Sequence, residues 1–170
     1  MRRAAAILLA LLAIPAAAHG EPTDVAVKAA FLPRFAKYVT WPAAAMPKGG
    51  DAFVLCVIGD DPFGAQLDAA ARSQTVEGRR IVVKRMDSAA GADGCQIAFV
   101  GGGHAGQLVG AIDGRPVLTV TDGANGGQRG IIHFTVSGGR VRFFIDQAAA
   151  SRRGMQISSR LLALAVGVKQ

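Results

Sequence analysis

Few residues in this chain have both the type and the spacing that chemistry needs. The sharpest group is Gly101-Gly102-Gly103-His104-Ala105-Gly106, which fits the G-x-G-x-x-G pattern, follows an apolar run and precedes a helical one. Glycines so placed let backbone amides approach a pyrophosphate at a helix N-terminus. Asp122 stands 21 residues after Gly101, near where a ribose-binding carboxylate is sought. The group follows the third strand-like run, however, and no βαβ fingerprint opens the chain, so a tight strand-to-helix turn is the favoured reading. His104 and His133 lie 29 residues apart, with no H-E-x-x-H pattern or cysteine companion to make a metal site. His133, between Ile132 and Phe134, reads as a strand residue. Asp60-Asp61 could be paired carboxylates, but directly before Pro62 they read as turn and helix-cap residues. A G-x-S-x-G elbow is absent. These residues nominate no nucleophile with its base, no cofactor site and no metal site.

Cys56 and Cys95 are the two cysteines of the chain, too few for a disulfide-dense scaffold or a four-cysteine zinc site. Both lie in or beside apolar runs. Two buried thiols acting as small hydrophobes and a bridge across 39 residues are both open readings. A bridge requires staggered parallel neighbours that bring the Cα atoms within about 7 Å.

The elements that must position these residues are legible in the hydropathy pattern. The 170 residues are 51% hydrophobic and 18% charged, with 22 Gly and 7 Pro; this suits one mixed α/β globule rather than a helical bundle or a disordered chain. Arg2 and Arg3 precede an apolar run, Ala4 to Ile14, which Pro15 and the small residues Ala16-Ala17-Ala18 close. That is the layout of a secretory signal peptide over residues 1–20, cut after Ala18 or Gly20, and the run is too short to span a bilayer comfortably. A single domain over 21–170 follows. Lys plus Arg outnumber Asp plus Glu by 19 to 12. The basic pairs Arg79-Arg80, Lys84-Arg85 and Arg152-Arg153 lack interleaved aromatics, so they read as solvated faces and argue against nucleic-acid binding.

Val27, Phe31, Phe35 and Tyr38 repeat at helical spacing over residues 23–40, with Pro33 as a kink point and Trp41-Pro42 as the stop. Residues 52–58 form a continuous apolar run, the mark of a strand buried on both faces. A helix follows, with Pro62 in its first turn. Residues 80–85, 96–100 and 116–121 read as further strands, with a helix around Gln107 to Ile112 before the last. Strands alternating with helices imply a mainly parallel sheet. Residues 131–136 and 140–145 flank Ser137-Gly138-Gly139 as an antiparallel hairpin. A short helix over 146–153 and a closing amphipathic helix over 157–168 complete the expectation. The fold class is therefore α/β, a three-layer sandwich of about six mixed, mainly parallel strands with helices on both faces and a C-terminal hairpin.

Several stretches, taken in order, resemble the YfiR-like family of periplasmic proteins. They are Lys28-Ala29-Ala30-Phe31-Leu32, Phe35-Ala36-Lys37-Tyr38-Val39-Thr40-Trp41-Pro42, and Leu55-Cys56-Val57-Ile58-Gly59-Asp60-Asp61-Pro62-Phe63-Gly64. Gly94-Cys95-Gln96-Ile97, Gly114-Arg115-Pro116-Val117-Leu118-Thr119-Val120, Gly139-Arg140-Val141-Arg142-Phe143 and Ile157-Ser158-Ser159-Arg160-Leu161-Leu162 follow. The resemblance implies an α/β sandwich that commonly dimerises and has no enzymatic activity. It implies binding to the periplasmic sensor part of an inner-membrane diguanylate cyclase, which is thereby repressed until envelope or redox stress raises cyclic di-GMP and favours biofilm. Cys56 and Cys95 match a family cysteine pair that can form a disulfide. Pro33, Phe144 and Asp146 depart from the usual family residues, and the second cysteine pair of some relatives is missing. The function expected is thus a periplasmic, non-catalytic signalling regulator, a homodimer whose partner is a membrane diguanylate cyclase or related receptor. A periplasmic small-molecule-binding module, with its cleft near Gly101–Gly106 and Asp122–Gly130, is the alternative.

Overall fold

A computed structural model describes residues 22–123 and 128–170. The signal peptide read in residues 1–20, with its cleavage site, lies outside them, as does part of the 123–130 loop.

The chain begins with α1 (Asp24–Phe35), capped by the Thr23 hydroxyl, which accepts the Ala26 N–H at 3.2 Å. Asp24 at its start and Arg34 at its end both complement the helix dipole. Pro33 is buried two residues before the last helical position, and the helix then tightens into a 3-10 turn, Ala36–Tyr38. The helical stripe thus stops short of residue 40. Val39–Thr40 instead extends as β1, because Ile157 and Gln156 of β9 (Gln156–Ile157) pair with it antiparallel.

The remaining elements in chain order are β2 (Phe53–Gly59), α2 (Ala65–Arg72), β3 (Thr75–Val76), β4 (Arg79–Met86), β5 (Ile97–Gly101), α3 (Ala105–Ala111) and β6 (Leu118–Asp122). Then come β7 (Ile132–Ser137), β8 (Arg140–Asp146), α4 (Gln147–Arg152), α5 (Ser159–Leu162) and β10 (Gly167–Lys169). Eight strands form one sheet in the order β10-β8-β7-β6-β5-β2-β4-β3. Every pairing is parallel except β3 with β4 and β7 with β8. The mixed, mainly parallel sandwich is as the sequence suggests, with two more strands in the sheet.

The differences have local causes. Pro62 lies ahead of α2 rather than in its first turn, since Gly64, at φ 50°, is the residue that turns into the helix. The closing stripe at 157–168 is helical only over Ser159–Leu162; Ile157 pairs with Val39 and Val168 with Ile145. Backbone groups at a sheet edge offer four-residue α5 no reason to continue when β8 has an open side to fill. The hairpin turn is as expected: Gly138 and Gly139, at φ 59° and 68°, link the paired Ser137 and Arg140, and a tight turn with two positive φ values suits glycine.

Helices cover both faces. On one side α1 and α2 pack Ala29, Leu32, Phe35, Leu67 and Ala71 onto Phe53, Leu55, Val57, Phe99, Val120 and Phe134. Phe35 meets Phe134 and Phe143 at ring-centroid distances of 5.8 and 5.6 Å, within the range of favourable aromatic pairs. On the other side α3 and a 3-10 helix, Ala89–Gly94, cover Cys56, Ile58, Ala98 and Val100. Cys95 lies just before β5, where the chain leaves that 3-10 helix, and is bonded to Cys56 with a Cα–Cα separation of 5.8 Å. The bond therefore ties the covering segment to the central strand.

Closing a loop of 39 residues is worth roughly 4 kcal/mol in the chain-entropy description. Cys56→Ser is expected to lower the unfolding free energy by up to about that amount, measured by urea denaturation of the oxidised protein. A variant as stable as the parent would remove the bond from the stabilising set.

Candidate functional site

The glycine-rich turn that looked like a phosphate cradle is filled by the protein itself. A Cβ on Gly101 would collide with the Asp60 carbonyl oxygen, and one on Gly102 would come within 2.8 Å of the Asp60 carboxylate. These glycines exist to let the β2–α2 loop pack against the β5–α3 turn, and a carboxylate lies where an anion would have to approach. Asp122 is also committed, to the Lys28 ammonium at 2.7 Å on the α1 side of the sheet. Asp61 accepts the Phe63 N–H at 2.8 Å and the Gly64 N–H at 3.2 Å, which makes it the turn residue expected. Arg85 links Asp61 and Asp68 at 2.7 and 2.9 Å. Burial works to raise the Asp61 carboxyl, but Arg85 and the two N–H donors outweigh it and hold it below the usual range. Asp68 is held low chiefly by the Arg85 hydrogen bond. His104 and His133 line different depressions, and among the described residues no cluster of His, Cys, Asp and Glu could hold a metal ion.

A different place on the molecule is open. Register puts Thr121, His133, Phe144 and Gly167 in one row across β6, β7, β8 and β10, on the face away from α1. Beyond β6 this face opens into a cavity of about 580 Å³. His133, Phe144 and Gly167 of that row line its floor; α3 (Val109), the segment 128–131 and α4 (Ala149, Arg152) wall it. His133 is only 6% exposed. Its Nδ1 is 2.8 Å from the Thr121 hydroxyl, which also accepts the Gly130 N–H at 2.9 Å. Phe144 packs against Gly167, where an added Cβ would sit 2.9 Å from the ring. The Arg129 guanidinium lies 5.5 Å from the centroid of that ring, a cation–π arrangement.

Charges around the cavity are unequal. Arg129, Arg152, Arg153 and Lys169 meet Asp113 and Asp146. Arg153 pairs with Asp113 at 2.7 Å and Lys169 with Asp146 at 3.0 Å. The carboxyl of Asp113 is lowered mainly by Arg153. The two carboxylates are thus matched one to one, and Arg129 and Arg152 leave a positive surplus.

Among the described residues, the exposed large hydrophobic ones are Val136, Phe144, Leu164 and Val166. All lie in β7, β8 or the segment entering β10, whose Val166 N–H donates to the Phe143 carbonyl at 2.9 Å. Sequence reading singled out Phe144 as unusual but missed the cavity, because segments 128–133, 144–153 and 167–169 converge only in the folded sheet. One signal was available: Thr119, Thr121 and His133 put polar groups at alternate positions in runs otherwise apolar on both sides.

The chain matches the family model described as YfiR/HmsC-like over residues 25–166. No curated protein matches it.

Burial lowers the pKa of His133 below 6.5, and the Arg129 charge adds to the shift while Asp122 opposes it. The folded state therefore prefers the neutral ring, and an unfolded chain takes up the proton first as pH falls. The stabilisation is complete above about pH 6.5 and is lost as pH drops through the folded value. An NMR titration of the His133 ring should give a midpoint below 6.5, and His133→Gln should remove this part of the pH dependence of unfolding. A midpoint above the ordinary histidine value would contradict the burial argument.

Proposed function

Since this chain belongs to the YfiR/HmsC-like family, we propose that it is an exported, non-catalytic regulator that represses a membrane diguanylate cyclase by binding the cyclase's periplasmic sensor part. Residues 1–20 are its export leader and 21–170 its single regulatory domain, working in the periplasm, as a homodimer. The observation that carries the reading is that, among the described residues, the exposed large apolar side chains Val136, Phe144, Leu164 and Val166 all fall in β7, β8 or the segment entering β10, at one end of the sheet. Apolar residues grouped in this way mark interaction surfaces more often than catalytic ones. The carboxylates offer support of a different kind: Asp61 and Asp68 serve a turn and ion pairs, and Asp60 packs against the glycines of the β5–α3 turn.

Repression needs no chemistry, only a difference in affinity for the two states of the receptor. A tenfold shift in the cyclase equilibrium requires about 1.4 kcal/mol of differential binding, within reach of a few buried side chains. Redox sensitivity would enter through the Cys56–Cys95 bond, which fixes the layer over β2.

Deleting the gene is expected to raise cyclic di-GMP severalfold and to increase biofilm. Leu164→Asp with Val166→Asp should reproduce the deletion while the purified variant keeps its circular dichroism spectrum and melting temperature. Both side chains are exposed, so folding should tolerate the change. Cyclic di-GMP that stays level in the deletion strain, under oxidising and reducing growth alike, would overturn the proposal.

A further inference from the structure

We propose that the cavity between α3, α4 and the β7–β8–β10 strands is a binding site for a small organic anion, one carrying a carboxylate or phosphate on a flat apolar body. Four features of the site point to that chemistry. The volume, about 580 Å³, is that of a small-molecule site and too small for a folded partner. The walls and floor offer apolar contact from Val109, Ile131, Phe144 and Ala149. The rim has a surplus of guanidinium groups once Asp113 and Asp146 have been matched by Arg153 and Lys169. Finally, Arg129 stands over the Phe144 ring, so that positive charge and an aromatic surface are presented at one spot.

Each feature excludes something. A bare inorganic anion would use the arginines and leave the apolar floor wet. A neutral aromatic would fill the floor but leave the Arg129–Arg152 charge unanswered. A cation would meet a net positive rim, whose two carboxylates, Asp113 and Asp146, are already paired with Arg153 and Lys169. His133 contributes a polar ring, held in place by the Thr121 hydroxyl, in a floor otherwise apolar. Arginine is suited to both oxyanions because its planar fork can donate two parallel hydrogen bonds to a carboxylate or phosphate. The site is separate from the exposed Val136, Leu164 and Val166, although Phe144 belongs to both, and its existence does not depend on the identity of the signalling partner.

The test uses the mature protein with 8-anilinonaphthalene-1-sulfonate, an aromatic anion, as the fluorescent probe. Saturable one-to-one binding is expected. Phenyl phosphate and benzoate should displace the probe at concentrations at least tenfold below inorganic phosphate, and the uncharged N-phenyl-1-naphthylamine should bind at least tenfold more weakly than the sulfonate. Arg129→Gln with Arg152→Gln should weaken probe binding at least tenfold; both side chains are exposed, and melting temperature verifies the fold. On the unaltered protein, phenyl phosphate should shift the NMR signals of His133 and Gly167. Displacement by inorganic phosphate as effective as by phenyl phosphate, undiminished binding to the double variant, or shifts confined to other parts of the sheet would each overturn the assignment.

Discussion

β2 and β5 are apolar on both faces, and strands of that kind are stable only when two separate layers keep water from them. Phe53, Leu55 and Val57 point one way and Cys56 and Ile58 the other, all essentially without exposure. This double requirement dictates the three layers. It places α1 and α2 on one side and α3 with the 89–94 turn on the other, and it forces the loops at the strand ends to pass close together. Gly101 and Gly102 are consequences of that crowding, as is the bond that ties Cys95 to Cys56.

The second layer is not large enough for the whole sheet. Moving outward from β2, the residues on its side change from Cys56 and Ile58, through Ala98 and Val100, to Thr119 and Thr121, then His133, and finally Arg142 and Phe144. Burial falls along the same path, from nothing exposed at Cys56 to 37% at Phe144. Polar side chains there are satisfied within the sheet: Thr119 accepts the Ile131 N–H and Thr121 the Gly130 N–H, both through their hydroxyls. A face that can satisfy its own polar groups does not need a helix over it. On this face the half of the sheet beyond β6 instead opens into the cavity.

That asymmetry suits a protein acting by association. The covered half, stapled by the disulfide, is a rigid support, while the uncovered half holds the exposed apolar side chains and the arginine-rimmed cavity. Rigid elements hold recognition groups more accurately than loops do, and here β8 and β10 supply both the Phe144 ring and the glycine against which it lies. The half-buried pair Lys28–Asp122 joins α1 to the end of β6, so the helix layer and the open half share a charged contact.

The sequence by itself determined the fold class, the central strands and the hairpin, because these depend on local periodicity and on turn residues: a doubly apolar run such as 52–58 has few other places to go, and Ser137-Gly138-Gly139 permits a tight reversal. It also pointed to turns at Asp60-Asp61 and at the glycines of 101–106, because Pro62 follows the carboxylates directly and the glycine pattern, although it fits G-x-G-x-x-G, follows the third strand with no βαβ fingerprint at the start of the chain. The C-terminal stretch was misleading for a physical reason. Its apolar spacing suits a helix, but Ile157 and Val168 find strand partners in Val39 and Ile145, more than 20 residues away in each case, and pairing over such distances leaves no local trace. Only the tertiary structure decided which strand faces remain uncovered, and hence that Arg129, His133, Phe144 and Arg152 share a cavity. Helix cover is a property of the completed sheet; no stretch of chain records it alone.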